Sequence, residues 1–248
     1  MRILMSNDDG VDAPGLARLA AAARALGGDV TVVAPERKWT AASHQLTFDR
    51  DLVLTSRGEG TYACSGAPAD CVIAAMTIVC DAAHRPDLVL AGINDKLNAG
   101  EDLAYSGTVA IAREAALWGL PAIALSSDAP VAVDAVSALA GLLGMLWDAR
   151  ATWHAPGCWL ALDLPPRLPA PLVQARVGRD KIGAATTIVS STPGRIVFRL
   201  RRGRPGTSAQ DDERDVLARG AIAVTRHRWD TAMPLPDDAI AALNGARS

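Results

Sequence analysis

The chain has 248 residues and a formal net charge of −2, with half of its residues hydrophobic and 21% charged. That composition is globular and large enough for one full α/β core. The near-neutral charge excludes a surface built for nucleic acid or anionic membranes. The four cysteines, Cys64, Cys71, Cys80 and Cys158, show no C-x-x-C spacing. With no signal-peptide pattern at the start, reduced thiols and a cytoplasmic setting are expected.

The apolar strand Arg2–Ser6 runs directly into the turn Asn7-Asp8-Asp9-Gly10. Two carboxylates ~4 Å apart repel by ~4 kcal/mol at an effective dielectric of ~20. Solvent can offset that cost, as in an ordinary turn, or a hard divalent cation can. Leu16, Leu19, Ala20, Ala23 and Leu26 recur at helical spacing, and Gly27-Gly28 ends that helix. The β-branched strand Asp29–Ala34 follows, completing a βαβ unit whose strands are parallel.

After Pro35 a polar stretch reaches Thr47, and short strands are predicted at Gln45–Phe48, Leu52–Thr55 and Thr61–Cys64. Pro68 suits the first turn of a helix running to Val79. Leu88–Ala91 reads as a buried strand and Gly92–Ser106 as its long loop, a type of loop that usually carries function. Gly107–Trp118 reads as a helix capped by Gly119, Ala122–Leu125 as a strand, and Val131–Arg150 as a helix. Its most apolar part, Ala135–Trp147, is too short to span a bilayer.

Trp159–Leu164 reads as a further core strand, and Pro165–Pro171 as a linker. Beyond it, strands are predicted at Leu172–Arg176, Thr186–Val189, Arg195–Leu200 and Ala221–Thr225, a mobile charged segment at 201–215, and a helix over Asp237–Leu243. The whole predicts an α/β fold: a mostly parallel sheet with helices on both faces and a β-rich C-terminal extension. The expected division is an α/β core over 1–165 and an extension with a final helix over 166–248, in subunit contacts.

Chemistry-bearing residues collect in three strand-end loops that topology brings to one edge of the sheet. A cation on Asp8 and Asp9 would find neutral oxygens in Thr40 and Asn94, an all-oxygen set suited to Mg²⁺ or Mn²⁺ rather than structural zinc. Ser106-Gly107-Thr108 opens a helix whose free N–H groups suit a phosphate, although Ser there also serves as a plain helix cap. His44 is a minor candidate for general acid or phosphate donor, and Lys96 is either a phosphate contact or a solvated lysine. The P-loop, G-x-G-x-x-G and G-x-S-x-G patterns are missing from the chain, which removes the corresponding nucleotide-binding and serine hydrolase readings.

Met1–Gly15, Val33–Arg37 with Ser43–Thr47, Ser65–Val72, Pro86–Asn94 and Tyr105–Val109 together resemble, in order, the blocks of the SurE family of stationary-phase survival proteins. The resemblance covers the first 126 residues and thins over the last hundred. It implies a metal-dependent 5′/3′-nucleotidase releasing phosphate from nucleoside monophosphates, with one divalent metal ion per subunit. It places the ion on Asp8, Asp9, Thr40 and Asn94, with Asp8 and Asp9 catalytic, and the phosphate on Asn98 and Ser106-Gly107-Thr108. It also implies a Rossmann-like catalytic core over 1–165 and a homodimer or homotetramer in which C-terminal segments over 166–248 are swapped between subunits.

The chain departs from the family pattern at Thr40, where the family has Ser, at Asp95-Lys96, where a glycine is expected, and at Ala161 and Asp163, where asparagines are expected. The competing reading is a phosphate- or nucleotide-binding regulator without turnover, or a family member that has lost activity.

Overall fold

The computed structural model describes residues 1–179, 183–202, 209–236 and 239. Eleven strands, β1 Arg2–Ser6, β2 Asp29–Pro35, β3 Leu54–Gly58, β4 Thr61–Cys64, β5 Leu88–Asn94, β6 Ala122–Ser126, β7 Cys158–Asp163, β8 Leu172–Gln174, β9 Gly183–Thr192, β10 Arg195–Arg202 and β11 Ile222–Arg228, form two sheets. The large sheet has the order β3-β4-β2-β1-β5-β6-β7-β11-β8. From β4 to β7 the pairings are parallel, while β3 and β11 run antiparallel to β4 and β7. Buried on both faces, these parallel strands read as continuous apolar runs rather than alternating ones.

The helices are α1 Pro14–Ala25, α2 Pro68–Ala74, α3 Gly107–Leu117, α4 Val136–Asp148, α5 Arg150–Trp153 and α6 Glu213–Ala218. On one face Leu16 and Leu19 of α1 and Leu139 and Leu143 of α4 pack against Met5, Leu90 and Ile123. On the other, Cys71 and Val72 of α2 and Ile111 and Ala115 of α3 pack against Leu4, Val89 and Ala124. Covering both faces leaves the strands' carboxyl ends as the open edge. The chain turns from β1 to β2 on one side and reaches β5 on the other, so the topological switch point lies between β1 and β5. That is where ligands bind in open α/β sheets.

Several local expectations are corrected. No strand forms at Gln45–Phe48, because the amide and hydroxyl of Thr47 both donate to the Asp70 carboxylate, at 3.1 and 2.7 Å. The helix predicted to Val79 does run that far: α2 ends at Ala74 and the chain stays helical with the wider π winding over Ala75–Val79, closed by the Cys80 N–H on the Ala75 carbonyl at 2.8 Å. The helix predicted from Val131 begins at Val136, since the amides of Ala135 and Val136 close tight turns onto the carbonyls of Ala132 and Val133. Its end is set apart as α5.

β8 and β11 join the large sheet, and β9 and β10 form a separate antiparallel hairpin longer than either predicted strand. Within 201–215, expected to be mobile, lie the end of β10 and the start of α6. Asp212 caps α6 by accepting the Asp215 N–H at 2.8 Å. The helix expected over Asp237–Leu243 falls almost wholly outside the described residues. All four cysteines are free. Among the described residues no helix is long and apolar enough to cross a membrane.

Candidate active site

β1 delivers Asp8 and Asp9 to the switch point, and Asn7 shapes the turn that presents them. Its side-chain amide donates to the Gly10 carbonyl at 2.8 Å, and its Oδ1 accepts the Gly10 N–H at 3.1 Å. Asp8 is buried, and Thr108 Oγ1 donates to its Oδ1 at 2.6 Å. The Gly107 N–H also donates to this carboxylate. Burial pushes the Asp8 carboxyl up to about 6. Asp9 adds to the shift, while the bonds from Thr108 and the backbone oppose it.

Gly107 is a packing requirement. A Cβ there would lie 2.7 Å from Asp8 Cβ and 2.9 Å from Pro68 Cγ. The N-terminus of α3, expected to cradle a phosphate at Gly107 and Thr108, thus gives those donors to the chain's own carboxylate. Thr108 is fully buried.

Ser106 differs from its two neighbours. Its Oγ caps α3 by accepting the Val109 N–H at 3.0 Å, and the residue also lines the cavity beside Asp8. The serine is thus a helix cap that also lines the cavity. Asn98 lines the same cavity with its side-chain NH₂ buried and without a hydrogen-bond partner. A buried donor without a partner costs about 1–3 kcal/mol, so its placement here favours an anion. Its backbone N–H is held by Ser126 Oγ at 3.0 Å and Asp163 Oδ1 at 3.2 Å.

Thr40 and Asn94 share this cavity of about 60 Å³ with Asp8 and Asp9. The Asn94 amide nitrogen donates to the Lys96 carbonyl at 2.7 Å and to Asn98 Oδ1 at 3.4 Å, which reserves its carbonyl oxygen as an acceptor. His44 lies elsewhere: its Nε2 meets Glu114 Oε2 at 2.8 Å, and Glu114 also accepts from the Trp118 indole at 2.9 Å. The structure ties this histidine to the flank of α3 and does not bring it to the cavity.

Lys38 is the residue whose role the sequence reading missed. Its ammonium contacts Asp9 Oδ1 and lies 2.7 Å from Asp95 Oδ2. Burial opposes its charge, but the bonds to Asp9 and Asp95 outweigh this and hold its pKa above the usual lysine value. Asp9 Oδ2 also accepts the Asp95 N–H at 3.2 Å. Asp163, at the end of β7, is a second buried carboxylate. Burial pushes it up to about 6, with Ser126 and Asn98 opposing and Glu213 and Asp128 adding to the shift. The signals for these residues were the place of Lys38 in the strand-end loop after Pro35 and the departures at Asp95-Lys96 and Asp163.

A hard divalent cation fits the donor set. Asp8 is a buried carboxylate whose desolvation a positive charge relieves, and Asp9 already draws the Lys38 ammonium. Among the described residues no three His, Cys, Asp or Glu side chains gather around one point. Neutral oxygens, such as those of Thr40 and Asn94 in the same cavity, would have to complete such a set.

Fold and site together define an α/β protein with paired carboxylates and an anion-seeking amide at the switch point of its sheet. A family model described as Survival protein SurE matches residues 3–183. The 5′-nucleotidase SurE of Rhizorhabdus wittichii is 35% identical over 242 residues, 91% of this chain and 92% of that protein. The 5′-nucleotidase SurE of Nitrosomonas europaea is 53% identical over 126 residues, about half of each chain (51% and 50%). The crystal structure of the SurE protein from Aquifex aeolicus matches with a TM-score of 0.79 at 25% identity, over 100% of both chains. The chain belongs to the SurE family.

Proposed function

We propose that this chain is a divalent-metal-dependent phosphomonoesterase that hydrolyses nucleoside monophosphates to nucleoside and phosphate. The observation that carries this reading is the buried Asp8, adjacent to Asp9, sharing one cavity with the unpartnered amide of Asn98. The name carried by its relatives, 5′-nucleotidase SurE, supports hydrolysis over a non-hydrolytic regulator.

Asp8 and Asp9, with Thr40 and Asn94, hold one Mg²⁺ or Mn²⁺ per subunit. When bound, the ion supplies the positive charge that polarises a phosphoryl oxygen and orients a water. The side-chain amide of Asn98 donates to the phosphate. The Ser106 hydroxyl, whose oxygen already accepts from Val109, donates a hydrogen bond to the same group. Gly107 and Thr108 serve the phosphate site through Asp8, whose position and charge they fix. The two donors on Asp8 also withdraw electron density from its oxygens, which supports water over Asp8 as the attacking nucleophile. His44, paired with Glu114, has no part in this reading.

The region from residue 166 onward is read as an extension to a catalytic core over 1–165, in subunit contacts or swapped between subunits of a homodimer or homotetramer; since β8 and β11 pair within the chain's own sheet, the β9–β10 hairpin is the part read as exchanged. In support, the β9–β10 hairpin exposes Ile188, Ile196, Phe198 and Leu200, each 58% exposed or more. Two strands without further cover are marginal in water. A cytoplasmic setting is supported by the four free cysteines.

The test is a panel of nucleoside monophosphates assayed with and without chelator, on the native chain and on Asp8→Asn. Phosphate release that needs the metal and falls at least about a thousandfold in the variant, roughly 4 kcal/mol of barrier, is the expected result. Wild-type turnover in Asp8→Asn, or release indifferent to chelator, removes the metal site from the account.

A further inference from the structure

A second cavity, of about 520 Å³, adjoins the site and is separated from it only by residues that line both: Asp9, Lys38, Asn94, Asp95 and Lys96. It is formed by the start of α1, the end of β5 with its loop, and the loop after β6. We infer that this cavity seats the nucleoside portion of the substrate, an inference that rests on the nucleotidase reading and names the place of its leaving group.

The carboxylate-lined cavity, at about 60 Å³, holds little beyond an ion and a phosphoryl group. The rest of a nucleotide must lie in adjoining space. The larger cavity falls within the range of small-molecule pockets, about 300 to 1,000 Å³. Its wall is apolar along Ala13, Pro14, Ile93, Ala129, Pro130 and Val131. Flat apolar walls suit the faces of a purine or pyrimidine ring, which carry no hydrogen-bonding groups.

Polar groups also line the cavity. Arg18 offers donors, and Asp128 offers an acceptor whose carboxylate is steadied by the Leu97 N–H on Oδ1 at 3.2 Å. A base edge presents both donors and acceptors, so this pairing complements it. The position also accords with the topology, since the cavity opens between the strand-end loops of β1, β5 and β6. Gly15 lets α1 close down on this edge: a Cβ there would lie 2.1 Å from the Ile93 carbonyl oxygen.

The test fills the cavity. Ala129→Trp is made in the full metal-loaded chain, with Val131→Trp as a second variant at another part of the wall, and folding is checked by circular dichroism. For each protein, kcat/KM is measured on AMP and GMP and on glycerol phosphate, and adenosine is tested as an inhibitor of glycerol phosphate hydrolysis. The expected result is a loss of about tenfold or more in the preference for the nucleotides, carried by KM, with adenosine inhibition weakened in parallel. Folded variants that keep the native preference and native adenosine inhibition overturn the inference and leave the nucleotidase reading intact. A native chain that hydrolyses glycerol phosphate but no nucleoside monophosphate overturns both.

Discussion

The ammonium of Lys38 lies 2.7 Å from Asp95 Oδ2 while also contacting Asp9 Oδ1, so a cation carried by the chain itself bridges a proposed metal ligand and a carboxylate outside the ligand set. A divalent ion arriving at Asp8 and Asp9 must compete with that ammonium, and Asp95 is where the ammonium can remain. Lys38→Met should therefore bind Mn²⁺ more tightly than the native chain, and Asp95→Asn more weakly, each by about tenfold or 1.4 kcal/mol. If Asp95 acts through Lys38, its substitution should have little further effect in the Lys38→Met background. Titration calorimetry on the two single variants and the double variant measures that coupling directly. Equal effects of Asp95→Asn in both backgrounds would reduce the pair to bulk electrostatics.

Gly107→Ala should damage the site more than the fold. The added Cβ meets Asp8 Cβ at 2.7 Å and Pro68 Cγ at 2.9 Å, so Asp8 must move or α3 must back away. Overpacking of this sort costs about 1–3 kcal/mol in stability. Misplacing a group by about 1 Å at a reacting centre costs on the order of a hundredfold in rate. Thermal melting and kcat/KM measured side by side test this. A variant with native rate and native melting would show that α3 yields without disturbing Asp8.

Asp163 predicts a dependence of stability on pH. Its carboxyl is raised to about 6 in the folded chain, against the usual 3.8, chiefly by burial. The folded state thus holds the proton more tightly than the unfolded state, and stability falls as pH rises through the interval from about 4 to 6. The full effect above that interval is at most about 3 kcal/mol. Asp163→Asn keeps an oxygen to accept from Ser126 and the Asn98 N–H, and removes the titration. Compared with the native chain without metal, the variant should gain stability at pH 8 relative to pH 4. Urea unfolding at both values decides it, and an unchanged difference between them would mean that Asp163 does not carry the shift.

The β9–β10 hairpin should govern assembly. Substituting Ile196 and Phe198, 61% and 58% exposed, by Asp places charge on surfaces that the proposed exchange would bury. Sedimentation should show the native chain as a dimer or tetramer at micromolar concentration and the doubly substituted chain as a monomer. A monomeric native chain would contradict the exchange outright.

Much of the α/β core was legible from local pattern alone. The β-branched run Asp29–Ala34, the helical recurrence from Leu16 to Leu26 and Pro68 at a helix start each report a local backbone preference that tertiary packing preserves. The acidic turn after β1 was legible for the same reason, because an apolar strand ending in Asn-Asp-Asp-Gly places its carboxylates at the sheet's edge whatever else surrounds it. Gln45–Phe48 failed because a distant carboxylate, Asp70, took the polar groups that a strand needs.

Only the tertiary structure decided how the site's charges are shared. Thr108 lies a hundred positions from Asp8, Asp95 lies 57 from Lys38, and Asp163 lies 65 from Asn98. No local periodicity encodes such pairings, because strand order rather than chain order brings the loops together. The sequence by itself determined which residues reach the open edge of the sheet. The fold determined which of them spend their hydrogen bonds on one another and which, like the side-chain NH₂ of Asn98, stay without a partner.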